Sequence, residues 1–301
     1  MSIYILSGAR TPQGSFLGSL ASVKAVSLGA TAIKGCYDKS NIDKNNIDEV
    51  FMGNVVQAGV GQAPARQASI LSGLNESVPA TTINKVCGSG MKSVILGAQS
   101  ILAGANNLVI SGGMENMSLA PHLLSKFRTG NKFGESTIID SLQSDGLVDA
   151  YGHLPMGNYA EECAQEFNFT REEQDNYSIE SFKRSQNAIK EGFFSKEIVP
   201  VPVTDRKGNT HLISEDEGPF KANFDKIPKL KPAFVKNGTI TAANASTIND
   251  GAAAILLASE KFKSQAKFKI VSMEQFASTP SKFTTAPIGA MKKCFQSSGI
   301  S

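Results

Sequence analysis

The stretch Asn84-Lys85-Val86-Cys87-Gly88-Ser89-Gly90-Met91-Lys92 places a thiol between two kinds of sequence. Residues 81–86 predict a short extended run, and the apolar, small-residue segment 93–103 predicts a helix. Cys87 therefore sits at or just before a helix N-terminus, where unpaired backbone N–H groups and the helix macrodipole favour a thiolate over a thiol. A thiolate held there is a nucleophile. The bland alternative is a small residue buried at a helix start, because free cysteine is among the most buried residue types. Cys36, Cys163 and Cys294 fall on predicted helices with no activating neighbours and read as structural thiols, while His122, His153 and His211 read as surface or packing residues. The cysteines form no CxxC pair and no histidine lies at ligand spacing, so neither a zinc site nor a disulfide framework is predicted.

The elements that must position Cys87 follow from periodicity. Residues 3–6 predict a buried strand that enters a turn-rich loop, 8–14, and apolar positions Val26, Ala30, Ile33 and Tyr37 predict a helix over 25–37. A second strand–helix unit starts at 50–52 and continues as a helix over 63–74; the Cys87 unit is the third. A fourth strand, 107–111, runs into Gly112-Gly113-Met114-Glu115-Asn116-Met117. Strands alternating with helices predict an α/β layered domain through about residue 118. From 119 to 245 the chain is more charged and holds most of the prolines, with a helix predicted over 156–167 and another, to about 191, announced by the capping box Thr170-Arg171-Glu172-Glu173. This part reads as an inserted subdomain whose amphipathic helices pack on the α/β layer. Beyond Gly238 the earlier composition returns, predicting a strand over 252–258, a helix over 259–266, a long strand over 268–277 and a final helix over 287–298.

Composition narrows the function. The 301 residues are 41% hydrophobic and 19% charged, with Lys+Arg 30 against Asp+Glu 27 and no long run of one sign, which predicts neither nucleic acid nor an anionic membrane surface as partner. No segment reads as a signal peptide or a membrane span, so a cytoplasmic location is expected.

Three motifs in order carry a resemblance. Residues 84–91, the run Gly112-Gly113-Met114-Glu115-Asn116-Met117-Ser118, and 241–251 closely resemble the thiolase family, in particular the acetyl-CoA acetyltransferases; Ala9-Arg10-Thr11-Pro12 and Lys229-Leu230-Lys231-Pro232-Ala233-Phe234 match as well. The resemblance implies an αβαβα layered fold, divided as an N-terminal α/β domain (1–118 and 246–270), a loop subdomain for CoA binding and tetramerisation (119–245) and the start of a C-terminal domain (271–301). It implies that Cys87 is acylated by an acyl-CoA and that a second acetyl-CoA condenses with the acyl group, giving acetoacetyl-CoA and CoA, or the reverse. By the same resemblance Leu147, Leu230, Ala233, Phe234, Ala242, Ser246, Ile248 and Phe283 line the CoA path and Lys221 faces a CoA phosphate. No metal and no cofactor beyond acetyl-CoA and CoA as substrates is implied. Phe182 stands where some relatives use a tyrosine to bind potassium, so that ion is not expected. The implied assembly is a homodimer or homotetramer.

The family's Asn-Glu-Ala-Phe, Gly-His-Pro and Cys-x-Gly-Gly motifs do not occur, and Cys294 lies in no such context. The expectation is a chain that ends before the second half of the fold, leaving one face of the Cys87 helix uncovered and turnover weak or absent. A longer-chain 3-ketoacyl-CoA thiolase, a thioester hydrolase, and an inactive CoA-binding or assembly subunit are the alternatives.

Overall fold

The computed structural model describes residues 2–300. Its centre is one mixed sheet of β1 (Ile3–Arg10), β2 (Glu49–Gly53), β3 (Ala80–Ile83), β4 (Leu108–Asn116), β7 (Asn249–Ala258) and β8 (Phe268–Ile270), in the order β8-β1-β7-β4-β2-β3. The short strand Gly14–Ser15 also pairs with β7. Strands β2, β3 and β4 are mutually parallel, with Phe51 opposite Ser111 and Thr81, whereas β7 runs antiparallel to both β1 and β4 and places Ala253 opposite Gly113.

Alternation along the strands builds two apolar layers. In β4, Leu108 and Ile110 face α1 (Ala25–Asp38) and α2 (Pro64–Leu71), while Val109 faces α3 (Ser89–Leu102); in β7, Leu256 and Leu257 divide the same way. The α1 side carries the larger core, with Ile33, Val50 and Met52 fully buried. Each such side chain contributes about 1.5–3 kcal/mol by leaving water. On the other side, Ala98 and Ile101 of α3, with Val94, pack on Ile3, Val109 and Leu257. Gly97 permits the close approach: an added Cβ would lie 2.9 Å from Leu257 Cδ1 and 3.0 Å from Val109 Cγ1. Met91 and Leu102 of α3 are exposed.

The segment from 119 to 245 is held together by polar clamps more than by apolar packing. It contains α4 (Met156–Glu166), α5 (Arg171–Lys190) and the hairpin β5 (Val201–Thr204) and β6 (Thr210–Ile213). The capping box at Thr170 and Glu173 is formed, a contribution of about 1 kcal/mol. Helix α5 has a covered face, with Ile179, Phe182, Gln186 and Ile189 half-buried at helical spacing, but that face packs on the turns Pro219–Lys221 and Ile227–Lys229 of the same segment; its one buried residue, Asp175, accepts from Arg171 Nε at 2.7 Å and Asn244 Nδ2 at 2.9 Å. Glu161 on α4 likewise accepts from the amides of Thr239 at 2.8 Å and Ile240 at 2.7 Å. The hairpin is the exception, since Val201 and Val203 pack on Leu20 and Leu28.

Four predicted elements come out shorter, among them the helix over 63–74, which is α2, and the extended run over 81–86, which is β3. The long strand over 268–277 is β8 alone, because only Ile3, Tyr4 and Ile5 offer partners along that edge; the helix over 259–266 is a 3-10 turn at Glu260–Gln265.

Arg10 ties the 119–245 segment to β1, and Glu217 ties it to the loop that follows β1. Arg10 binds Glu197 at 2.6 Å and grips Asp216 through both terminal nitrogens at 2.7 and 2.9 Å, with its guanidinium over the Phe194 ring. Glu217 accepts from Lys221, from the Ser15 and Ser19 amides and from the Ser19 hydroxyl. Burial would raise this carboxyl, but Lys221 and the serine donors together outweigh it and hold it at about 2, below its ordinary 4.5. A depressed folded-state value stabilises above the unfolded value and is lost as pH falls through the folded one, so the contribution disappears between pH 4.5 and about 2. Glu217→Gln is expected to lower the melting temperature at pH 7 and to converge with wild type at the acid end of that window. Melting curves of both proteins across pH would show it; parallel curves would contradict it.

Candidate active site

Cys87 lies in a tight turn between β3 and α3. Asn84 Oδ1 accepts from the Val86 amide at 3.0 Å, and Ser89 Oγ accepts from the Lys85 amide at 2.8 Å while donating to the Val86 carbonyl at 2.6 Å. The turn forces Val86, a β-branched residue, to φ +47°, a left-handed conformation that costs on the order of 1–3 kcal/mol. Helix α3 starts at Ser89 with Gly88 as N-cap and no side chain capping it, so the exposed Cys87 stands one residue ahead of the cap beside the positive end of the helix dipole.

The thiol opens on a cleft of about 400 Å³. The cleft is built from the carboxyl ends of β2 and β4, the first half of β7, the first turn of α3, and Leu142, Gly146 and Leu147 from the subdomain. Ligand sites at the carboxyl ends of parallel strands are a general consequence of α/β topology. Glycines let these strands close in. A Cβ on Gly53 would stand 2.7 Å from the Ser89 carbonyl carbon and 2.8 Å from the Gly90 amide nitrogen; one on Gly112 would collide with the Ala253 carbonyl oxygen.

Met114 is buried beneath the cleft and Met117 lines it. The acid between them was not legible as a site residue. Glu115 turns into the same cleft, accepting from Asn54 Nδ2 at 2.7 Å, the Val55 amide at 2.8 Å and the Val56 amide at 3.2 Å. Burial pushes its carboxyl up from the ordinary value, against the opposing pull of the two amides. Its neighbour Asn116 points the other way and donates to the Leu20 and Val23 carbonyls at 3.1 and 2.7 Å. An acid at the end of an apolar strand, between Met and Asn, was the available signal.

The other thiols are unlike Cys87. Cys36 is wholly buried, in contact with Ser7, and pushed up to about 12 by burial. Cys163 and Cys294 are half-buried. Among the described residues, no three His, Cys, Asp or Glu side chains come together as a metal site.

Of the residues expected along a CoA path, Leu147 shares the cleft with Cys87. Leu230, Ala233, Phe234, Ala242, Ser246, Ile248 and Phe283 do not line it, and Lys221 is engaged by Glu217 at 2.6 Å. The Phe234 ring covers Gly157 at the start of α4, and the Ala233 amide donates to the Ile240 carbonyl at 2.9 Å, so the 230–240 stretch is folded back on α4.

Residues 3–261 match the family of thiolase N-terminal domains. The chain belongs to the thiolase family. It is 48% identical over 303 residues to an acetyl-CoA acetyltransferase of Schizosaccharomyces pombe and 46% identical over 306 residues to one of Saccharomyces cerevisiae, in each case covering 99% of this chain and 77% of the relative. A crystal structure of an Ascaris suum thiolase in complex with coenzyme A superposes with a TM-score of 0.93 at 43% identity, covering 99% of this chain and 78% of that one. Two relatives from Gibberella zeae bear the descriptions cytosolic and mitochondrial. No helix among the described residues is long and apolar enough to cross a membrane. As a thiolase, the chain has the layered α/β fold that its motifs implied.

Proposed function

We propose that this thiolase is an acetyl-CoA C-acetyltransferase whose nucleophile is Cys87. The observation that carries the reading is the exposed thiol at the start of α3, opening on a cleft walled by glycine-bearing strand ends. It is supported by the acetyl-CoA acetyltransferase descriptions of relatives at 43–48% identity and by the coenzyme A bound to the Ascaris thiolase.

In the first half-reaction the Cys87 sulfur attacks the thioester carbon of acetyl-CoA. The carbonyl oxygen takes up the negative charge of the tetrahedral adduct, which in this reading the backbone N–H of Cys87 and the dipole of α3 stabilise. The adduct then expels the CoA thiolate and leaves the acetyl group on sulfur. In the second half-reaction, C2 of another acetyl-CoA gives a proton to a general base and attacks the acetyl carbon, forming the new C–C bond as the C–S bond breaks and the Cys87 thiolate returns. The products are acetoacetyl-CoA and, from the first step, CoA; thiolysis is the reverse.

The CoA path runs, in this reading, from the cleft at Leu147 toward Leu230, Ala233, Phe234, Ala242, Ser246, Ile248 and Phe283, with Lys221 near a phosphate. The division into 1–118 with 246–270, 119–245, and 271–301, the cytoplasmic location and a dimeric or tetrameric assembly belong to the same proposal. The direct test is incubation with acetyl-CoA, followed by peptide mass spectrometry and CoA release. An acetyl group on the Cys87 peptide, with CoA released equal to the sum of acyl-Cys87 and acetoacetyl-CoA formed, is the expected result; CoA release with neither acyl-Cys87 nor acetoacetyl-CoA refutes the reading.

A further inference from the structure

The cleft wall facing the Cys87 turn is the 54–56 loop, and the loop is held by one side chain. All three hydrogen bonds accepted by the Glu115 carboxylate come from this loop, two of them from consecutive backbone amides. Among the described residues no cation pairs with Glu115, so these donors are what solvates a half-buried charge, and the carboxylate and loop keep each other in place. The Asn54 amide shows the constraint: its Nδ2 is spent on Glu115 and the Met114 carbonyl, which leaves Oδ1 buried without a partner. On the far side, the loop is linked to the nucleophile, since Asn84 reaches the Val55 carbonyl at 3.4 Å and accepts from the Val86 amide.

The loop is also a partition. Val56 is buried, its Cγ2 lies 3.8 Å from where a Cβ on Gly146 would stand, and it lines both the Cys87 cleft and a second cavity of about 270 Å³. That cavity is mostly apolar, walled by Ala58, Val60, Leu119 and Pro121. Space for further methylenes therefore exists behind the wall, closed off while the loop stays where Glu115 holds it.

We propose that Glu115 is a positioning residue that limits the acyl chain accepted at Cys87, by fixing the 54–56 loop as a wall between the cleft and the second cavity. The inference rests on the acyl-transfer reading above. The charged carboxylate suits the role better than an amide: a glutamine would turn an NH2 toward one of the three donors and lose that bond.

The experiment compares acetyl-CoA with octanoyl-CoA as acyl donors to the full chain. Initial rates of acyl-Cys87 formation are read by mass spectrometry and normalised to the thiol titrated with iodoacetamide. Wild type is expected to favour acetyl-CoA. Glu115→Ala is expected to shift the octanoyl-to-acetyl ratio upward about 10-fold, the discrimination typical of a small change in an apolar pocket. Val56→Ala should move it the same way with the carboxylate intact. Glu115→Gln, which keeps the shape, should give a smaller shift and decides the matter if Glu115→Ala does not fold. A purely structural role lowers both rates in proportion, and a ratio unmoved in the folded Glu115 variants overturns the assignment, whatever Val56→Ala does. Wild type that takes up neither acyl group overturns the acyl-transfer reading itself, and this inference with it.

Discussion

Cys87→Ala loses the acetyl label entirely, and no other thiol takes its place. The expected fall in acyl-transfer rate is on the order of 10⁴-fold or more, the scale of removing a catalytic nucleophile. The reason lies in what surrounds each sulfur. Cys36 is sealed on the buried face of α1 and kept protonated by burial, so a CoA thioester cannot reach it and it offers no thiolate. Cys163 within α4 and Cys294 within α6 (Ala286–Ser298) lie inside helices, away from the N-terminal dipole that favours an anion, and neither borders the Cys87 cleft. Removing the Cys87 sulfur leaves an exposed methyl group at that position, so the fold and melting temperature should be retained. Label on the Cys163 or Cys294 peptide in Cys87→Ala, at the wild-type rate, would show that the nucleophile has been misassigned.

Gly53→Ala is the second large effect, and it acts without touching the thiol. The added methyl meets the backbone of Ser89 and Gly90 at 2.7 and 2.8 Å, and backbone at a helix start cannot rotate aside as a side chain can. The first turn of α3 must move away from the end of β2, carrying with it the Ser89 hydroxyl that holds the Val86 turn closed. Overpacking of this kind costs about 1–3 kcal/mol of stability. The greater loss is in rate, since a displacement approaching 1 Å at the nucleophile costs about 10²-fold. Gly218→Ala is the control, because a Cβ there meets nothing within 4 Å. Acyl-transfer rates and melting curves of the two variants separate the effects; a Gly53→Ala protein as fast as Gly218→Ala would show that the contact between β2 and α3 does not position Cys87.

Much of this protein is local and could be read from the chain. The alternation of Leu108, Val109 and Ile110, the spacing of Val26, Ile33 and Tyr37, and the Thr170–Glu173 capping box are each determined by neighbours a few residues away, and each forms the element it predicts. Cys87 was legible for the same reason, because the strand, turn and helix around it are contiguous, and its motif was specific enough to name the family. The edge strand β8 was over-predicted, because an apolar run says nothing about how much strand is available to pair with it.

What needed the folded chain is whatever depends on residues far apart in sequence. Nothing local to β7 places it between β1 and β4, where residues about 250 apart, Tyr4 and Ala258, come to lie opposite each other. Nothing in Gly-Gly-Met-Glu-Asn shows that the Glu115 carboxylate finds its three donors some 60 positions earlier, in the loop after β2. In a sequence a glutamate is by default a solvated surface residue, and only tertiary contact can supply the amides that make its burial tolerable. The proposed nucleophile was therefore determined locally, whereas the wall it faces was decided by the sheet that brings the ends of β2 and β4 together, in register, beside it.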